Sequence, residues 1–192
     1  MTNRFHLLIW AQHYNVDVPW ERYDSIVTLD DLALPLYYAA LIGLLEVVTS
    51  LLVQGVHPNT EGGYYGSALQ AASARGHEMV VQILLEKGAD VNAQGGEYGN
   101  ALQAASAGGH EMVMQMLLEK GADVNAQGGE YGNALQAASA GGYETVVQIL
   151  LEKGADVNAQ GGRYGNALQA ASWGGHKTIV QMLLKKAADV YA

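Results

Sequence analysis

A period of 33 residues runs through most of this 192-residue chain and limits its fold more than any other feature. GGEYGNALQAASAGGHEMVMQMLLEKGADVNAQ, residues 95–127, is followed by GGEYGNALQAASAGGYETVVQILLEKGADVNAQ, residues 128–160, and the two agree at 29 of 33 positions. Further copies begin at Gly62 and Gly161. A degenerate copy, LPLYYAALIGLLEVVTSLLVQGVHPN, covers residues 34–59, where Gly43, Gly55 and Asn59 stand 33 residues before Gly76, Gly88 and Asn92. A unit of this length cannot bury its apolar face alone, so the repeat implies stacked copies sharing one continuous core. The register divides the chain into an N-terminal helical cap or linker, 1–28, and a repeat domain, 29–192, with units 29–61, 62–94, 95–127, 128–160 and 161–192.

Within a unit the signals are helical. Asn100 is placed to cap a short helix through ALQAASA, which Gly108-Gly109 ends. The Ala-rich face lets a neighbouring helix come close. A second helix is predicted from about His110 to Lys120, with Val113, Met116 and Leu117 on one apolar face and Leu118 widening it. Glu111 in the first turn and Lys120 in the last match the helix dipole, and Gly121 supplies the stop. Each unit is thus two helices and a Gly-rich loop.

Composition narrows the function. A net charge of −9 disfavours nucleic acid, because phosphate binding rests on Lys and Arg. Without cysteine there is no disulfide framework, thiolate zinc site or thiol nucleophile. No apolar run is long enough to span a bilayer. FHLLIWA, Phe5–Ala11, is interrupted by His6 and lacks a small-residue cleavage site after it, so it reads as a helix packed on the domain and the chain as cytoplasmic.

GADVNAQGGEYGNA, Gly121–Ala134, invites chemical readings that fail on inspection. As a calcium loop it begins at Asp123 and has Gly128 sixth, but its twelfth residue is Ala134 where a bidentate Glu is needed. As a phosphate cradle it lacks Gly-Lys-Ser/Thr and a preceding buried strand. The glycines then serve positive-φ turns, and Asp123 and Asn125 bond loop backbone. HEMVM, His110–Met114, departs from the zinc-protease pattern at Met114; His77 and His110 fall a repeat apart, and a helix-start His bonding local backbone accounts for them. Ser73, Ser106, Ser139 and Ser172 recur on the short helix without a base. The expectation is no metal, no cofactor and no catalysis.

GADVNA after the second helix, GHE before it and LPLYYAA at Leu34–Ala40 resemble the motifs of the ankyrin repeat, with Asn-Ala in place of Thr-Pro in the later units and Gln103 in place of the motif His. The resemblance covers 29–192 and implies an all-α ankyrin-repeat solenoid of stacked helix-turn-helix units with β-turn loop fingers. It also implies a monomer that binds a protein partner on its concave face and neither nucleic acid nor membrane. The positions it assigns to contact are the loop tips Tyr64, Glu97, Glu130 and Arg163 and the first-helix ends, Ala74/Arg75, Ala107/Gly108, Ala140/Gly141 and Trp173/Gly174. Tyr65, Tyr98, Tyr131 and Tyr164 form a further row, read equally as loop packing or as contact. Trp173, where other units have Ala, reads with Arg163 as a hot spot, or alternatively as a cap over the last helix pair. The subtype YGNALQAAS also resembles arrays of filamentous fungi that follow a NACHT-type nucleotide-binding domain, which implies the recognition region of a receptor. A third reading, from the near-identity of adjacent copies, is a consensus-like engineered scaffold.

Overall fold

The computed structural model describes residues 33–186; the segment 1–28, read above as a cap or linker, lies outside them, as do 187–192. The described residues form ten α-helices and no strand: α1 Ala33–Leu41, α2 Leu45–Val53, α3 Ala68–Ala74, α4 Glu78–Glu86, α5 Ala101–Gly108, α6 Glu111–Glu119, α7 Ala134–Gly141, α8 Glu144–Glu152, α9 Ala167–Trp173 and α10 Lys177–Lys185. They pair into five hairpins, and each hairpin packs on the next, first helix to first helix and second to second. The protein is an all-α repeat solenoid.

Local chemistry sets these elements. Asn100 sits in extended conformation and its side chain accepts from Gln103 N at 2.9 Å, while Gln103 Oε1 accepts from Asn100 N at 3.0 Å, closing a capping box. The side chains of Ser67, Asn133 and Asn166 likewise accept from the amides of Gln70, Gln136 and Gln169 and so cap α3, α7 and α9. Gly109, left-handed at φ 71°, then turns the chain into α6. Lys120 stands at the C-cap of α6 rather than in its last turn, so the dipole complement expected there comes from Glu111 alone.

The core is a line of Ala and Leu from the first helices facing Val, Leu and Met from the second. The buried face of α6 is Val113, Met114 and Leu117, whereas Met116 and Leu118 are only partly buried. The expected face is thus turned by about one residue, because α6 packs against α4 and α8 as well as α5 and needs contacts on two flanks.

Units are joined by rings as well as by helices. The ring of His77 lies over Gly43, that of His110 over Gly76, Tyr143 over Gly109 and His176 over Gly142, where a Cβ on the glycine would collide with it. Nε2 of His77, His110 and His176 donates to the carbonyls of Leu41, Ala74 and Ala140, each at 3.1 Å. The helix-start His therefore bonds the preceding unit and not local backbone. It is an inter-repeat rivet.

One polar row is left unsatisfied. Among the described residues Oγ of Ser73, Ser106 and Ser139 is buried without a partner, whereas Ser172 Oγ donates to Leu168 O at 2.7 Å. Burying a hydroxyl without a partner is costly. Ser106→Ala is expected to raise stability by about 0.5–1 kcal/mol, read from the denaturant midpoint, with no such gain for Ser172→Ala.

Candidate functional site

The Gly-rich loops project as fingers, each closed on itself by a backbone bond: Gly95 N to Gly99 O at 2.7 Å, Gly128 N to Gly132 O at 2.8 Å and Gly161 N to Gly165 O at 2.8 Å. The fingers also touch one another. Glu97 N donates to Tyr64 O at 3.2 Å, Glu130 N to Glu97 O at 2.7 Å and Arg163 N to Glu130 O at 2.9 Å. The four tip residues thus lie in one row tied by backbone bonds. Contact this close requires glycine: at Gly96, Gly129 and Gly162, each at φ 62°, an added Cβ would overlap the backbone of the preceding Tyr65, Tyr98 or Tyr131. Turn geometry, the reason assigned to these glycines from sequence, is half of their role; backbone-to-backbone packing between units is the other half.

Gln103, where the family motif has His, works across the same joint. Its Nε2 reaches Ala126 O at 3.0 Å, Gly128 O at 3.3 Å and Gly132 O at 3.0 Å, all in the next finger. Gln70 and Gln136 do the same one unit earlier and later. At the loop base, Asp123 Oδ1 accepts from Asn125 N at 2.9 Å, while Asn125 bonds Gly154 O at 3.1 Å and accepts from Asp156 N at 2.7 Å. The residues that resembled a calcium loop are spent on backbone, within the loop and across to the next unit. Among the described residues no cluster of His, Asp and Glu is arranged to hold a metal.

Behind the tips the tyrosines form a ladder. Tyr65 stacks on Tyr98 at 5.6 Å and Tyr98 on Tyr131 at 5.8 Å, with ring planes within 9°. Tyr131 and Tyr164 are 6.0 Å apart and tilted, and Trp173 continues the row at 5.2 Å from Tyr164. The rings are half-buried, so they pack along the loops while keeping an open edge. Burial pushes the hydroxyls of Tyr98 and Tyr131 to higher pKa, which keeps them neutral donors. Cations close both ends: Arg75 lies 5.9 Å over Tyr65 and Arg163 4.9 Å over Tyr164. Trp173 is 73% exposed, and Tyr64 projects at the first tip with 62% exposure. Tyr64, Arg75, Glu97, Tyr98, Glu130, Tyr131, Arg163, Tyr164 and Trp173 thus lie together along the finger side.

The tips carry a polar chain that sequence reasoning missed. Arg163 Nη1 donates to Glu130 Oε1. The carboxyls of Glu97 and Glu130 lie close enough to share one hydrogen bond when Glu97 is protonated, and Glu97 Oε2 is buried with no other partner among the described residues. Partial burial, then that bond, hold the Glu97 carboxyl above its ordinary pKa, while the bond to Glu97 and then Arg163 hold Glu130 below its own. Of the two, Glu97 is the carboxyl that takes up a proton first as pH falls. Its stabilising contribution is complete at acidic pH and fades as pH rises through its raised pKa; that of Glu130 is present at higher pH and fades as pH falls through its depressed one. Glu97→Gln fixes a donor in place. It is expected to gain on the parent at about pH 8 relative to about pH 4, by less than about 1 kcal/mol because the groups are solvated. Denaturant midpoints of both proteins at the two pH values check this. The 33-residue spacing of Glu97, Glu130 and Arg163 was the available signal, since equal positions in a stacked array become neighbours.

Comparison with known proteins agrees with the geometry. A family model described as ankyrin repeats in three copies matches residues 36–128 and 126–192. The chain is also similar to the azaphilone pigments biosynthesis cluster protein L of Monascus ruber, with 48% identity over 60 residues, covering 28% of this chain and 13% of that protein. The match spans a small part of the relative's length. No helix among the described residues is long and apolar enough to cross a membrane.

Proposed function

Since the chain belongs to the ankyrin-repeat family, whose members generally serve protein–protein interaction, we propose that it is a recognition module or scaffold that binds a protein on its concave, finger-bearing face, as a monomer and without catalysis of its own. The observation that carries this reading is the aromatic ladder ending in the exposed Trp173, set on a face held by repeated backbone bonds. Trp, Tyr and Arg are the residue types most enriched at interface hot spots, and a rigid platform limits the ordering cost of binding. Tyr64, Arg75, Glu97, Tyr98, Glu130, Tyr131, Arg163, Tyr164 and Trp173 form the contact set, with Trp173 its principal anchor.

The test is Trp173→Ala, measured against whatever protein the immobilised parent captures from cells of its source. We expect affinity to fall by about 2 kcal/mol, roughly 30-fold, at unchanged melting temperature. A lower melting temperature with binding retained would assign Trp173 to capping the array and remove the anchor.

A second reading rests on the resemblance of the YGNALQAAS subtype to fungal repeat arrays, and the similarity to a Monascus ruber protein bears on its fungal part alone. In it the array is the recognition region of a fungal NACHT-type receptor, and partner binding governs a nucleotide switch elsewhere in a longer chain. A Gly-Lys-Ser/Thr loop in the same reading frame would support it.

A further inference from the structure

We propose that the strip between Arg75 and Trp173 takes an extended peptide segment, with an acidic side chain at one end and an aromatic or branched apolar side chain about six residues away at the other. This inference rests on the protein-binding reading and specifies the partner's chemistry.

The two ends of the strip differ in kind. Arg75 is exposed and lies over Tyr65, and among the described residues no carboxylate pairs with it, whereas Arg163 is engaged by Glu130. A guanidinium laid on a ring keeps its donor fork free, the geometry that suits a carboxylate. At the far end Trp173, 73% exposed, rests on Tyr164. The anchor there is apolar.

Length and spacing argue for an extended chain. Four ring-to-ring steps of 5.2–6.0 Å lead from Tyr65 to Trp173. That is about 23 Å along the row, which a strand covers in six to seven residues at ~3.3 Å each. The half-buried Tyr65, Tyr98, Tyr131 and Tyr164 keep their hydroxyls in reach of solvent, and among the described residues these make no hydrogen bond. Their row repeats at close to the two-residue step of a strand, ~6.6 Å, so successive phenols can meet alternate peptide groups. Glu97 and Glu130 at the adjoining tips disfavour acidic residues in the middle of the segment, so the acid is selected at the Arg75 end only.

A display library of linear twelve-residue peptides, panned on the full chain, tests this. Enrichment of sequences with an acid five to seven positions from an aromatic or branched residue is expected. Panning on Arg75→Glu should exchange the acid for a basic residue, and Trp173→Ala should abolish the apolar preference. A selected peptide should bind each variant at least about tenfold more weakly by fluorescence anisotropy, a loss of about 1.4 kcal/mol. Absence of enrichment, or a pattern unchanged by both substitutions, overturns the proposal. If no peptide is enriched but a protein is captured and lost with Trp173→Ala, the protein-binding reading stands and the extended-segment proposal fails. If neither is seen, both fail.

Discussion

Gly129→Ala is expected to destabilise the array by about 3–5 kcal/mol and lower its melting temperature by about 10 °C. Two terms combine. An alanine at φ 62° is strained by about 1 kcal/mol or more, and its Cβ would overlap the carbonyl group of Tyr98 and the amide of Gly99. Neither is a flexible side-chain end, so the fingers must part, and the Glu130 N to Glu97 O bond and the stacking of Tyr98 on Tyr131 go with them. Gly121→Ala provides the comparison. Gly121 is also left-handed, at φ 88°, but an added Cβ there meets nothing within 4 Å. It should cost about 1 kcal/mol, the backbone term alone. Equal losses in the two variants, measured by thermal and urea unfolding, would show that fingers do not pack backbone on backbone.

The second large effect is expected at Gln103. Replacing it with leucine keeps the volume and removes every bond its amide makes. Asn100 N loses its acceptor, and carbonyls of Ala126, Gly128 and Gly132 lose a shared donor. Gln103 is buried, so each abandoned group costs about 1–3 kcal/mol unless water reaches it. A total of about 3–4 kcal/mol is expected, given that fewer than four groups are fully shielded. Gln169→Leu, at the matching position of the last unit, should cost much less because Gln169 is exposed. Comparable losses at the two sites would mean that the amide acts within its own helix, through the cap alone, and not across the joint.

The legible part of this structure is what one unit shows by itself. Asn100, Gly109 and Gly121 mark helix ends through local backbone chemistry, and the structure places the helices within a residue or so of those marks. Equivalent positions in adjacent copies had to form rows, so the tips, the tyrosines and the histidines were correctly grouped. The spacing between units is not legible, because the pattern of one unit does not encode its distance to the next. That is why sequence points His110 to local backbone and not to Ala74 O, gives Gly129 a turn alone, and does not show Glu97 beside Glu130. The face of α6 differs from its sequence stripe for a related reason: a single helix shows one apolar stripe, but one packed on both sides buries a wider arc.

The zipped fingers also make the array a spring with a stop on one side. Rings on the finger side stand 5.6–6.0 Å apart, closer than the about 8–10 Å typical of packed helices, a difference that would taper each unit toward its fingers. Gly96, Gly129 and Gly162 are already in backbone contact with the preceding finger, so compression has nowhere to go. Tension does: it opens the tips, whose single backbone bond per joint is much weaker than the helix contacts behind it. A pull along the array therefore reaches the aromatic row before the core, and would alter the grip on a bound segment while the helices stay folded.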